Sequence, residues 1–150
     1  MSVAGGCRCG AVRYTVAIDA LPLAYACHCT DCQSWSGSAF SQQAVIAETS
    51  ITIAGPIVDY SFRSPSGAQS HQRMCGICHA RIYNTNSSRP GIAMLRAGTL
   101  DESDRLDTPV HIWAKRKQPW LILADDAEVY PEAAPPEAII RLFVQPSAAD

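Results

Sequence analysis

The chain has 150 residues, a net charge of −2 and seven cysteines. That length fits one domain, and 47% hydrophobic with 17% charged residues excludes a disordered chain. Twelve basic against 14 acidic residues leave no cationic surface for nucleic acid or for an anionic membrane.

The hydrophobic pattern predicts a mainly β domain. Apolar and polar residues alternate from position 12 to 18, which is typical of a half-buried strand. Turn residues separate several of the short β-rich runs further along the chain, which cover residues 23–26, 40–47, 51–54, 57–62, 81–83, 92–97, 110–113 and 139–144.

One short helix is predicted from Thr30 to about Trp35, with Thr30 as its N-cap. Residues 131–137 contain three prolines and predict an irregular connection. We expect a single domain, built as one sheet on another or as a half-open barrel.

The cysteine count is odd, so disulfides alone would leave one thiol over. The first ten residues show no basic segment followed by an apolar run, and no apolar run reaches 18 residues. We therefore expect a cytoplasmic protein with reduced thiols, in which clustered cysteines most often bind metal.

The cysteines form three clusters: a C-x-C at Cys7 and Cys9, a combined C-x-C and C-x-x-C at Cys27, Cys29 and Cys32, and a C-x-x-C at Cys75 and Cys78. Tight turns of this kind direct successive sulfurs at one zinc ion. The outer two clusters together supply four thiolates, which suits a closed structural site. The middle three leave one coordination position open, which suits a catalytic site.

Other assignments of these thiols stay open at this point. Cys75 and Cys78 could pair with two cysteines of the middle cluster, and His28 could be a fourth ligand there. The middle cysteines could also be unligated, and a redox pair at Cys29 and Cys32 is disfavoured because no βαβ pattern surrounds it. Three thiolates would make zinc a weak Lewis acid, so thiol binding is favoured over water activation.

The sequence resembles the glutathione-dependent formaldehyde-activating enzyme family, whose GFA domain is shared with centromere protein V. The resemblance covers roughly residues 4–121. It rests mainly on three ordered cysteine motifs, within residues 6–14, 27–33 and 75–78, and on a Gly-Thr-Leu-Asp segment within 97–101. Further matching residues lie within 36–40 and 109–113 and at Trp120.

This resemblance implies a single-domain β-tent of short antiparallel strands around zinc knuckles. It implies a GFA-like domain over residues 1–124, followed by a proline-containing extension over 125–150 packed on the same domain. It also implies two zinc ions, the structural one on Cys7, Cys9, Cys75 and Cys78 and the catalytic one on Cys27, Cys29 and Cys32.

The chain departs from the family pattern in two places. Glycine usually follows the second C-x-x-C, and here that residue is His79, which is either a local ligand or, as we favour, a neutral surface substitution. The tail from residue 125 onward has no clear counterpart. The histidine His28 inside the middle cluster is equally consistent with a catalytic group and with a spacer.

A pocket wall is expected directly after the middle cluster, at Trp35, Ser36, Gly37 and Phe40. His111 and Trp113 are expected in the core rather than in a pocket. A glutathione-like substrate carries carboxylates and needs cations. Four arginines are available, and the sequence does not select among Arg63, Arg73, Arg81 and Arg96.

The resemblance and the residues together favour a zinc-dependent carbon–sulfur lyase, which adds a thiol such as glutathione to a small aldehyde such as formaldehyde, or reverses that addition. In this hypothesis the thiol enters the open zinc position and attacks the aldehyde carbonyl. The alternatives are a non-catalytic zinc-binding interaction module and a thiol or metal sensor. The sequence indicates no oligomeric state.

Overall fold

The computed structural model describes residues 1–143, and strands dominate it. The strands are β1 (Val3–Gly6), β2 (Arg13–Val16), β3 (Ala24–Cys27), β4 (Ser41–Ala47), β5 (Ile51–Ala54), β6 (Ile57–Arg63), β7 (Gln69–Cys75), β8 (Arg81–Asn86), β9 (Ile92–Arg96), β10 (Val110–Ile112) and β11 (Glu128–Val129). The helices are α1 (Thr30–Ser36) and α2 (Pro136–Ile140). The predicted mainly β fold is confirmed.

The strands form two sheets. A three-stranded antiparallel sheet has the order β1-β2-β5. An eight-stranded sheet has the order β11-β10-β3-β4-β9-β8-β7-β6. Strand β10 runs parallel to both β3 and β11, and the other pairs of this sheet are antiparallel.

The main core lies between the two sheets. In β2 the buried residues alternate with exposed ones, so Tyr14 and Val16 face inward. They belong to the same buried cluster as Ile46, Ile82 and Leu95 of the larger sheet. Burial of these apolar side chains, at roughly 1.5–3 kcal/mol each, holds the small sheet against the large one.

The structure corrects two local expectations. The N-cap of α1 is Cys29, not Thr30, because the Cys29 sulfur accepts a hydrogen bond from the backbone N–H of Cys32 at 3.3 Å. The strand expected at 139–144 is wrong where the structure describes it, since α2 occupies Pro136–Ile140. Proline at the first helical position favours that helix, and Val144 lies outside the described residues.

The chain beyond residue 124 contacts the larger sheet as far as it is described. Strand β11 pairs with β10, and Leu142 is buried in a second core cluster beside Tyr25, Val45 and Met94. The division of the chain at residue 124 stays a prediction. Among residues 1–143, no helix has the length and apolar character needed to cross a membrane.

A close approach at Gly5 joins the N-terminal strand to the turn after β9. A Cβ at Gly5 would lie 2.3 Å from the hydroxyl of Tyr14 and 2.5 Å from the carbonyl oxygen of Thr99. The Tyr14 hydroxyl is itself 2.8 Å from the hydroxyl oxygen of Thr99, and Gly5 bridges to Leu100. Only glycine fits here, two residues before Cys7.

We expect Gly5→Ala to lower the free energy of unfolding by about 1–3 kcal/mol, because the added methyl group must displace backbone. Gly98→Ala is the matched control, since no heavy atom lies within 4 Å of its Cβ position and its φ is not positive. Denaturant unfolding of both variants measures the difference. Equal stability of the two variants would contradict the close approach.

Candidate metal centres and the adjoining cavity

Four cysteine sulfurs from distant parts of the chain converge on one point. The ligand atoms of Cys7, Cys9, Cys75 and Cys78 all lie within 4.8 Å of one another. The sulfur of Cys9 is 3.6 Å from that of Cys7 and 3.8 Å from that of Cys75. Four sulfurs bound at about 2.3 Å to a tetrahedral ion would lie about 3.8 Å apart. This set therefore fits a closed four-thiolate metal site.

Local backbone hydrogen bonds shape the C-x-x-C turn. The backbone N–H groups of Ile77 and Cys78 point at the sulfur of Cys75, at 3.4 and 3.5 Å. Cys75 donates its own N–H to the carbonyl of Ala80 at 3.0 Å. Donors aimed at sulfur favour the thiolate form, and backbone hydrogen bonds from Ala80 and Cys9 lower the pKa of Cys78 to about 6. These hydrogen bonds therefore stabilise the thiolate form of the cysteines in this turn.

The C-x-C turn is stabilised in the same way. Cys7 exchanges hydrogen bonds with Val12, donating its N–H to the Val12 carbonyl at 3.0 Å and accepting the Val12 N–H on its sulfur at 3.3 Å. Gly10, at φ 81°, closes the turn with an N–H donated to the carbonyl of Cys7. A left-handed residue is required there, so glycine is favoured.

The remaining three cysteines form a second group. The sulfurs of Cys27, Cys29 and Cys32 also lie within 4.8 Å of one another. Cys27 ends β3, Cys29 caps α1, and Cys32 lies in the first turn of that helix. No histidine or carboxylate among residues 1–143 joins this group within that distance. The three sulfurs therefore leave one position of a tetrahedral ion without a protein ligand.

Electrostatics within this three-sulfur group favour a thiolate at Cys32. A hydrogen bond from Cys27 lowers the pKa of Cys32 to about 6, and the same contact raises the pKa of Cys27. The positive charges of Arg96 and Arg81 lower the pKa of Cys32 further. The side-chain amide of Gln43 points at the Cys32 sulfur from 3.9 Å, and Tyr25 donates a hydrogen bond to Gln43 at 2.9 Å.

His28 lies between two of these cysteines, yet its ring turns into the protein. It is fully buried, and its Nε2 is 2.9 Å from Nδ1 of His111. Its Nδ1 has no hydrogen-bond partner in the described part of the chain, and its ring packs against Phe40 at 5.4 Å between centroids. Burial, and then the neighbouring His111, lower the pKa of His28 to about 4, so the imidazole is neutral at pH 7. The expectation that His111 is a satisfied buried histidine agrees with this contact.

A cavity of about 460 Å³ adjoins helix α1 on the side of β8 and β9. Three of the four residues expected as a pocket wall line it, namely Trp35, Ser36 and Phe40. Gly37 lines a neighbouring cleft instead, with Gln118 and Trp120, because it ends the helix in a left-handed conformation at φ 63°.

Two arginines line the same cavity, which the sequence could not select from its four candidates. Arg81 places its guanidinium 4.1 Å from the centre of the Trp35 ring, and Arg96 extends from the end of β9. The other two candidates are engaged elsewhere. Arg73 forms an ion pair with Asp59, and Arg63 donates to the carbonyl of Gly67.

His79 also lines this cavity and lies outside both sulfur groups. Its φ of 59° is left-handed, and its N–H donates to the carbonyl of Cys75 at 3.0 Å to close the C-x-x-C turn. A residue other than glycine in the left-handed conformation lowers the stability of the fold by about 1 kcal/mol. This cost is the physical reason why glycine is the usual residue directly after this C-x-x-C motif.

Comparison with known proteins assigns the chain to a family. Residues 2–116 match the sequence model of the family described as glutathione-dependent formaldehyde-activating enzyme, which is most of the chain. The chain belongs to this family. The matched range contains all seven cysteines and both arginines of the cavity.

A solved structure supports the fold of this family member. The crystal structure of a Rhodobacter sphaeroides protein is similar to it with a TM-score of 0.52 and 19% sequence identity, over 65% of this chain and 87% of the other. At that identity the likeness concerns the fold alone. No curated protein sequence is similar enough to this family member to count as a match.

We expect His79→Gly to be more stable than His79→Ala by about 1 kcal/mol, because only glycine relieves the left-handed backbone while both remove the imidazole. Thermal unfolding of the two variants measures the difference. If alanine were as stable as glycine, the left-handed conformation at residue 79 would be contradicted.

We expect the two sulfur groups to differ in their contribution to folding. Loss of one sulfur from the four-sulfur group, in Cys78→Ala, should lower the free energy of unfolding by about 3 kcal/mol or more, because a metal ion bound there would hold the turn after β1 to the turn after β7. Cys29→Ala, a half-buried cysteine like Cys78, lowers it by about 1 kcal/mol or less. Chemical unfolding of the metal-loaded variants compares them, and the reverse order would contradict the assignment.

Proposed function

We propose that the chain is a zinc-dependent enzyme of the carbon–sulfur lyase class. It joins a thiol such as glutathione to a small aldehyde such as formaldehyde, or reverses that addition. One observation carries the proposal: a three-sulfur group that leaves one coordination position without a protein ligand adjoins a cavity through Cys27, which pairs with the cavity residue Ser41, in a member of a family named for this activity.

Two zinc ions per chain are proposed. Zinc suits all-thiolate tetrahedral sets, and Cys7, Cys9, Cys75 and Cys78 would hold one ion in a closed site. Cys27, Cys29 and Cys32 would hold the other, which would supply a fourth position that favours the thiolate form of the substrate. We propose a cytoplasmic location, because such sites require reduced cysteines.

The reaction itself needs little from the protein beyond placement. The substrate thiol loses its proton, and its sulfur forms a bond to the aldehyde carbon while the carbonyl π electrons move to oxygen. That oxygen then takes up a proton, which gives a hydroxyl group. Trp35 and Phe40 form a wall that limits the motion of the two reactants, which supplies the proximity contribution.

The groups around the three-sulfur site hold its geometry during this addition. Gln43 directs its amide at Cys32, and the buried pair of His28 and His111 fixes the segment between β3 and α1. Neither histidine carries a charge at pH 7, because burial lowers the pKa of both. The partners proposed are small molecules, a thiol and an aldehyde, and neither nucleic acid nor a membrane. The net charge of −2 disfavours a polyanion.

The test is NMR exchange spectroscopy with carbon-13 formaldehyde and glutathione. We expect the zinc-loaded protein to exchange label into S-hydroxymethylglutathione faster than the spontaneous reaction does. Cys29→Ala should return the exchange to the spontaneous rate, because the three-sulfur group is broken.

His71→Ala is the matched control, because the His71 side chain is exposed on β7, lies outside the cavity and contacts the Ser61 hydroxyl. It should exchange label as fast as the unaltered protein. An unaltered protein that gives only the spontaneous rate would remove the named reaction and favour a non-catalytic zinc module.

A further inference from the structure

The cavity beside the three-sulfur group contains two cations that lack a carboxylate partner. Arg81 and Arg96 both line it, together with Trp35 and Phe40. None of the ion pairs formed within residues 1–143 involves either arginine. Both side chains are half-buried, and a guanidinium group withdrawn from water is ordinarily paired with an anion, so this pair requires an explanation.

Neutral amides hold the two guanidinium groups in place. The side-chain oxygen of Gln72, which is buried, accepts from Arg81 at 3.1 Å and from Arg96 at 3.4 Å. Asn84 accepts a further hydrogen bond from Arg96 at 2.7 Å. The shared acceptor brings two like charges together, and the buried Nε of Arg96 has no hydrogen-bond partner among residues 1–143. The arrangement thus retains donor capacity and positive charge.

The plane of Arg81 is fixed by an aromatic ring. Its guanidinium lies 4.1 Å from the centre of Trp35 in a cation–π contact, and its Nη1 donates to Gln72. A guanidinium has five N–H donors, so one bond to Gln72 leaves others for an acceptor. Burial and then the repulsion of Arg96 lower the pKa of Arg81 to about 9, so it remains cationic at pH 7. A planar fork held in this way matches a carboxylate, to which it can donate two parallel hydrogen bonds.

The pair is also connected to the three-sulfur group. Arg96 stands directly opposite Gln43 in the register of β4 and β9, and Gln43 directs its amide at the Cys32 sulfur. Trp35, under Arg81, follows Cys32 by three residues on α1. Three thiolates on a divalent ion carry one net negative charge, which balances only one of the two arginines.

We propose that Arg81 and Arg96 bind a carboxylate of the thiol substrate, so that the site selects acidic thiols over neutral ones. This inference rests on the proposed function and narrows its substrate class. The sulfur of the substrate would bind at the three-sulfur group while the carboxylate of the same molecule binds the two arginines on the cavity wall. The structure thereby selects two arginines from the four that the sequence offers.

Isothermal titration calorimetry on the zinc-loaded protein tests this proposal with two matched probes. The probes are 3-mercaptopropionate and its amide, which differ only in the charge of the carboxyl end. We expect the acid to bind about 10- to 100-fold more tightly, as one charge-assisted bidentate contact allows. Arg81→Gln should remove most of that preference by weakening the acid alone, and Arg81→Lys should keep part of it.

Arg63→Gln is the control, since Arg63 is exposed on β6 outside the cavity, and it should keep the full preference. Equal affinity of the unaltered protein for acid and amide would overturn the carboxylate site and leave the proposed function standing. Equal loss of affinity for the acid and the amide in Arg81→Gln would also overturn it, because Arg81 would then support the structure of the metal site and not bind the carboxylate. If neither probe binds the unaltered protein, the proposed thiol chemistry fails and this inference fails with it.

Discussion

The convergence of Cys7, Cys9, Cys75 and Cys78 is the constraint on which the rest of the structure depends. It brings together turns that are 66 residues apart along the chain, from Cys9 to Cys75. A metal ion bound there would replace the repulsion of four thiolates by attraction, so its binding energy would become folding energy. The same closure fixes β1 against β2 and β7 beside β8, and it thereby sets where the cavity residues after Cys78 can lie.

The cavity owes its position to the strands and the helix next to the cysteine turns. Arg81 begins β8 just after the C-x-x-C turn, and Arg96 ends the neighbouring β9. Helix α1, which starts inside the three-sulfur group, places Trp35 against Arg81. The four-sulfur group, the three-sulfur group and the two arginines are therefore built from adjoining elements. Under the proposed function, this proximity would let one small substrate contact a metal position and a positive charge at once.

The short cysteine spacings favour a four-plus-three grouping without excluding other pairings, and the family resemblance implies the grouping that the structure brings together. The sequence could predict most strands of the larger sheet from their apolar runs. It could not predict β1 or β7, whose residues Val3–Gly6 and Gln69–Cys75 are rich in glycine or polar side chains and are placed by pairing. It could not select Arg81 and Arg96, because their meeting depends on strand register. The left-handed backbone at His79 is indicated in the sequence only by the position of that residue, where the family pattern has glycine.

Zinc-edge anomalous diffraction from crystals of the zinc-loaded protein tests the central claim most directly, since it locates each ion and its ligands. We expect two zinc peaks per chain. One is bound by the sulfurs of Cys7, Cys9, Cys75 and Cys78, and the other by Cys27, Cys29 and Cys32 with a fourth ligand that is not from the protein. A single peak would contradict the account, as would a second zinc whose fourth ligand is His28.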